Sequence, residues 1–150
     1  MENEKHEIST NTCAISYKEE EKCTIIEGKE KIDVDMNLQD YLNYNCEYYG
    51  SSFEGRHKGS QSILGMKYKL PIIIEESKEI VFFPTKAYNH IECAWISLHN
   101  ITSYEQSSHS TIVTFNSGIK AKYNISLESF ENQLIRANKL LLILKNRKQG

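Results

Sequence analysis

The residue types best suited to chemistry gather in one stretch, Cys46-Glu47-Tyr48-Tyr49-Gly50-Ser51-Ser52-Phe53-Glu54-Gly55-Arg56-His57-Lys58-Gly59-Ser60. Three of the chain's seven glycines fall here, beside a cationic cluster of Arg56, His57 and Lys58. Glycine- and serine-rich backbone exposes N–H groups and lets a ligand approach closely. Adjacent cations then select an anion, most simply a phosphate. Ser51, Ser52, Arg56, His57 and Lys58 are its candidate ligands. Tyr48, Tyr49 and Phe53 suit a loop pinned to a core. A glycine-rich turn with solvated charges is the plain alternative, and spacing alone does not separate the two.

More specialised chemistries fit less well. Gly50-x-x-x-x-Gly55 is followed by Arg56-His57 and preceded by a helical pattern, whereas a P-loop needs Lys then Ser or Thr, after a strand. His90, Glu92, Cys93, His99 and His109 include no two close ligand pairs of zinc-site spacing. Cys93 beside Trp95 reads as a packed core thiol. Cys46 or Ser52 with His57 could pair nucleophile and base, but no nucleophile-elbow pattern or orienting acid accompanies them. Such a cysteine enzyme requires a depressed Cys46 pKa. Glu19-Glu20-Glu21 and Glu75-Glu76 fall in turns and read as solvated faces. No catalysis, metal or cofactor is expected.

Basic residues carry a different possibility. Lys120 and Lys122 share one face of a strand pattern, and Arg56, Lys58, Lys67 and Lys69 could lie on the same side. Cations among small polar residues make a phosphate-tracking surface. No helix-turn-helix, zinc-finger or RNP-type signature is present, so a DNA contact would use a loop or ribbon. A narrow A·T minor groove attracts an inserted arginine, and Arg56 between small residues is the candidate.

The elements that must position these residues follow from periodicity. Cys13, Ile15 and Tyr17 alternate, Glu19-Glu20-Glu21 turn, and Cys23 and Ile25 alternate again, giving a hairpin; a strand with Ile32, Val34 and Met36 follows. Asn37 caps a short helix carrying Leu38, Tyr41, Leu42, Asn45 and Tyr49. Ile72-Ile73-Ile74 and Ile80-Val81-Phe82-Phe83 flank a turn, and Cys93 to Leu98, apolar on both faces, is the predicted central strand. Thr111–Phe115 and Ile119–Tyr123 form a hairpin closed by Asn116-Ser117-Gly118. Ser126 caps a long amphipathic helix with a stripe of Leu127, Phe130, Leu134, Ala137, Leu141 and Leu144. Its apolar run Leu140, Leu141, Leu142, Ile143, Leu144 exceeds what one sheet face buries and predicts a partner helix, as in a homo-oligomer. The class is α+β: mainly antiparallel β-sheet, one short internal helix and a long C-terminal amphipathic helix. Residues 1–10 are expected to lack structure and 11–150 to form one domain.

Composition excludes other classes. No apolar run approaches the ~18 residues of a membrane span, and the N-terminus lacks the regions of a signal peptide. Four isolated cysteines read as free thiols of a reducing cytosol. Net charge is −2. Residues 1–40 hold eleven acids against five lysines, so the remainder is net basic and could steer an anionic partner.

Four blocks together resemble one family. Gly50-Ser51-Ser52-x-x-Gly55-Arg56-x-x-Gly59, Phe83-Pro84-Thr85, Cys93-x-Trp95-Ile96-Ser97 and Ile125-Ser126-x-x-Ser129-Phe130-Glu131-Asn132-Gln133 are similar, in order and spacing, to the ComK family of competence transcription factors of Gram-positive bacteria. The likeness runs from about Tyr44 to Leu142. It implies a cytoplasmic, nucleoid-associated activator binding A·T-rich promoter boxes upstream of DNA-uptake genes, mainly through the minor groove. It also implies self-association on paired boxes and turnover through an adaptor protein and a Clp protease. Longer members carry a tail, tied to activation and adaptor binding, past the closing helix. The alternative is a short paralogue that pairs with a full-length activator through Leu140–Leu144 and does not itself bind DNA.

Overall fold

Strand β6 (Ala94–Ser97) is buried along its whole length because layers cover both of its faces. A computed structural model describes residues 6–150. Chain order runs β1 (Thr12–Glu19), β2 (Lys22–Glu27), β3 (Glu30–Val34), α1 (Leu38–Tyr48), α2 (Phe53–Leu64), β4 (Ile72–Glu75), β5 (Ile80–Pro84) and β6. After a single 3-10 turn come β7 (Ile101–Ser107), β8 (Ser110–Phe115), β9 (Lys120–Tyr123) and α3 (Leu127–Gln149). The larger sheet has the order β3-β2-β1-β6-β5-β4 and the smaller one β7-β8-β9, with every pairing antiparallel. The class is α+β, as the pattern predicts.

Alternation along the strands divides the interior into two cores. Ile15, Ile25, Ile72, Ile74, Phe82 and Trp95 face α1, meeting Leu38, Tyr41, Leu42 and Cys46. Ala14, Ile73, Val81, Phe83 and Ile96 face the opposite way, toward β8 and α3, meeting Val113, Phe115, Phe130, Ala137 and Leu140. The double-sided apolar runs of β4, β5 and β6 are therefore required by a three-layer arrangement. Gly118 closes the β8–β9 hairpin at φ +96°, a backbone state that side chains beyond glycine rarely adopt.

Three expectations need correction. The glycine stretch is a second internal helix, not a loop. Gly50 (φ +92°) turns the chain out of α1, and the Ser52 hydroxyl then accepts from Gly55 N–H at 2.9 Å as the α2 N-cap. Asn43 Oδ1 accepts from Phe53 N–H at 2.9 Å, satisfying another first-turn donor. The weak helix propensity of Gly55 and Gly59 is overridden because α2 docks on α1, β4 and α3.

The second correction concerns residues 1–10. Residues 1–5 lie outside the described residues, but residues 6–8 are tied to α1. Ile8 is fully buried and its N–H donates to Asn45 Oδ1 at 2.7 Å. The hydroxyls of Tyr41 and Tyr49 donate to the carbonyls of His6 and Ile8, each at 2.6 Å. One apolar side chain in a polar stretch is enough when a waiting pocket and three hydrogen bonds receive it.

The third concerns the leucine run of α3. Leu140 and Leu141 are buried in this chain's own core, and Leu144 packs partly on it. Two surfaces receive the helix, the sheet face and α2, where the pattern allowed for one. Ile143 is half-buried, and Leu142 remains in solvent together with Ile135.

Candidate nucleic-acid interface

The cations of the glycine stretch are largely occupied. Arg56 Nη1 donates to Glu76 Oε1 at 3.3 Å, and Arg56 Nε is buried with no hydrogen-bond partner among the described residues. Lys148 pairs with the same carboxylate. The Lys148 ammonium, and then the Arg56 guanidinium, hold the Glu76 carboxyl below the usual range despite its partial burial. Lys58 pairs with Glu54 one helical turn away at 3.5 Å. His57 stacks on Phe53 with 6.1 Å between ring centroids and meets the Tyr88 ring edge-on. Ser52 is a cap. Ser51 and Arg56 line a cavity of about 280 Å³ between α2 and α3, whose floor is Ile63, Ile73, Leu140 and Leu144. Arg56 is thus chiefly a structural ion, and α2 offers no open phosphate loop.

Cys46 is fully buried, and burial pushes its thiol up to about 11. A thiolate nucleophile needs the opposite shift. Cys93 is likewise fully buried in the core with Trp95, and its thiol is also raised by burial. No group of three His, Cys, Asp or Glu placed to hold a metal occurs among the described residues, and no helix there is long and apolar enough to cross a membrane.

A second cluster is electrostatically different. Between α3, the connector 65–71 and the loop after β5 lies a cavity of about 480 Å³, with Lys69, Lys86, Arg136 and His109 in its lining and no Asp or Glu. Lys69, Lys86 and Arg136 form no ion pair among the described residues. Ser126 and Ser129, at the positive end of the α3 dipole, line it too. Asn124 of the lining donates to Glu92 at 2.8 Å. Beyond Ser126, Glu128 and Glu131 line a neighbouring cavity of about 350 Å³ and bound the basic surface on that side.

Gln133 assembles this site. It is buried, and its Nε2 donates to the carbonyls of Lys69 (3.0 Å) and Pro84 (2.8 Å) while its Oε1 accepts from Arg136 Nη1 at 3.1 Å. One amide thus fixes the connector, the end of β5 and a guanidinium.

The predicted residues divide accordingly. Lys69 belongs to the cavity, and exposed Lys67 lies two residues before it. Lys120 and Lys122 are exposed on β9, opposite the half-buried Ala121 and Tyr123, and Asn124 of the lining follows Lys122 by two positions. Arg56, His57 and Lys58 are absent from this lining. Sequence reasoning missed Lys86, Arg136, His109 and Gln133 as site residues. A polar Gln133 between Phe130 and Ala137 on the buried face of α3 was the available signal.

The family model described as "ComK protein" matches residues 3–149. The chain belongs to the ComK family. A relative, the competence transcription factor of Bacillus subtilis (strain 168), is 31% identical over 137 residues, covering 89% of this chain and 71% of that protein. No solved structure is significantly similar. All four ComK-like blocks have structural roles visible here, Phe83-Pro84-Thr85 through the buried Phe83 ring and the Pro84 carbonyl that accepts from Gln133. Ser52 caps α2, Trp95 centres one core, and Ser126 and Gln133 shape the basic cavity.

Proposed function

We propose that this chain is a DNA-binding transcriptional regulator, an activator of competence and DNA-uptake genes acting on the nucleoid. The observation that carries this is the acid-free cavity around Lys69, Lys86 and Arg136, three cations from separate segments without carboxylate partners among the described residues. Unneutralised cations beside a helix N-terminus and small hydroxyls suit phosphate oxygens. The similarity to a protein named as a competence transcription factor supports the same conclusion. Lys67, Lys120 and Lys122 extend the phosphate-binding surface, whereas Arg56, His57 and Ser52 serve the fold, Lys58 pairs with Glu54 in solvent and Ser51 lines the α2–α3 cavity. The DNA is an A·T-rich promoter box contacted through the minor groove.

Self-association accompanies this function. Ile135 and Leu142 stand seven residues apart on α3, two turns along one face, and are 64% and 59% exposed. They replace Leu140 and Leu141 as the residues through which a second copy, on a paired box, would bind.

Fluorescence anisotropy with an A·T-box duplex and a G·C-rich duplex, over a salt series and with a minor-groove drug as competitor, tests the proposal. Tighter, drug-sensitive binding to the A·T duplex, falling steeply with salt, is expected. Weak binding to both with no salt slope rejects it and moves the function to protein partners.

A further inference from the structure

The connector between α2 and β4 presents an aromatic ring to solvent beside the basic cavity. Tyr68 is 79% exposed and forms part of the cavity lining, with Lys67 and Lys69 on either side of it in sequence. We propose that Tyr68 is the residue that reaches the bases of bound DNA, its hydroxyl set against the acceptor edge of an A·T pair in the minor groove. This rests on the DNA-binding function above.

Rigidity argues for a placed side chain. Three consecutive carbonyls after Tyr68 are pinned by three different elements: Lys69 by Gln133 of α3, Leu70 by the Tyr88 hydroxyl at 2.9 Å, and Pro71 by the Ser60 hydroxyl of α2 at 2.7 Å. Leu70 is fully buried. Lys69 itself has φ +54°, in the left-handed region that favours glycine. Such strain persists only where surrounding contacts over-determine it, and it concentrates at functional points. Pinned backbone on one side and a ring without a partner among the described residues on the other is poor economy for a solvent turn and good geometry for a contact residue.

Chemistry then selects the base pair. With a phosphate held by Lys69, Lys86 and Arg136, the adjoining ring lies toward the sugar and base. In the minor groove A·T and T·A pairs show only the adenine N3 and thymine O2 acceptors, while G·C adds the guanine amino donor. A phenol hydroxyl can donate to the acceptors of any pair, so selection rests on the guanine amino group, which projects into the groove and keeps the ring edge off a G·C pair.

The test uses the full chain with Tyr68→Phe, Tyr68→Ala and Lys69→Ala, titrated against A·T-box and G·C-rich duplexes over a salt series. Tyr68→Phe is expected to keep the salt slope and lose roughly tenfold in A·T affinity, so that the A·T preference falls. Tyr68→Ala should lose at least as much. Lys69→Ala should weaken both duplexes alike and reduce the salt slope by about one. An unchanged A·T preference in both Tyr68 variants overturns the assignment and leaves DNA binding standing, as does an equal loss on both duplexes or a wild type that does not discriminate. A wild type with no salt-dependent binding overturns the assignment together with the proposed function. Thermal unfolding verifies that each variant is folded.

Discussion

Gln133 Nε2 donates to the carbonyl of Lys69 at 3.0 Å, joining residues sixty-four positions apart and holding a lysine in a left-handed backbone state at the edge of the basic cavity. The same amide reaches Pro84 and Arg136. Substituting Gln133 by Leu strands the carbonyl of the buried Pro84, frees that of Lys69 and releases the connector. A loss of about 2 kcal/mol in denaturant unfolding is expected, with weaker DNA binding although Gln133 itself is buried.

The cations of the cavity separate from those of α2. Lys86→Ala and Arg136→Ala should each weaken binding to any duplex sequence and lower the salt slope by about one. Lys58→Ala, on an exposed side chain already paired with Glu54, should leave the slope unchanged and stability within ~0.5 kcal/mol. Affinity measured at several salt concentrations distinguishes the two groups.

Arg56 and the end of α3 meet on the β4–β5 turn. Glu76 takes Lys148 and Arg56, and Glu79 takes Lys145 at 2.7 Å and His99 at 3.2 Å. Hydrogen bonds from Lys148 to Glu76 and from Lys145 to Glu79 lead the causes that lower both carboxyls in the folded state. Their stabilisation is therefore complete above the ordinary glutamate value of 4.5 and is lost as pH falls through the lower folded values. Unfolding midpoints should decline below about pH 4.5, and the decline should be shallower in Glu76→Gln. Arg56→Ala should itself lower the unfolding free energy at neutral pH by about 1 kcal/mol.

Gly59 sits inside α2 with helical backbone, and a Cβ there would meet nothing within 4 Å. Gly59→Ala should stabilise the protein by ~0.5–1 kcal/mol through helix propensity. A thermal midpoint that falls instead would show that the α2–α3 cavity needs the glycine.

Much of the architecture follows from local chemistry along the chain. The Asn37 and Ser126 caps bond three residues ahead, Gly118 turns its own hairpin, and the double-sided apolar runs of β4 to β6 announce burial. Each signal spans only a few residues, so sequence alone determined the β1–β2, β4–β5 and β8–β9 hairpins, the starts of α1 and α3, the central strand and the α+β class, but not α2 or β7. Tertiary structure decided the site. Whether 46–60 is loop or helix depended on docking against α1, β4 and α3, which offset the glycines' weak propensity. Whether Arg56 is free depended on Glu76, twenty residues away. Lys69, Lys86 and Arg136 meet because a single buried amide bridges three segments, and no periodicity encodes a side-chain hydrogen bond to a distant carbonyl.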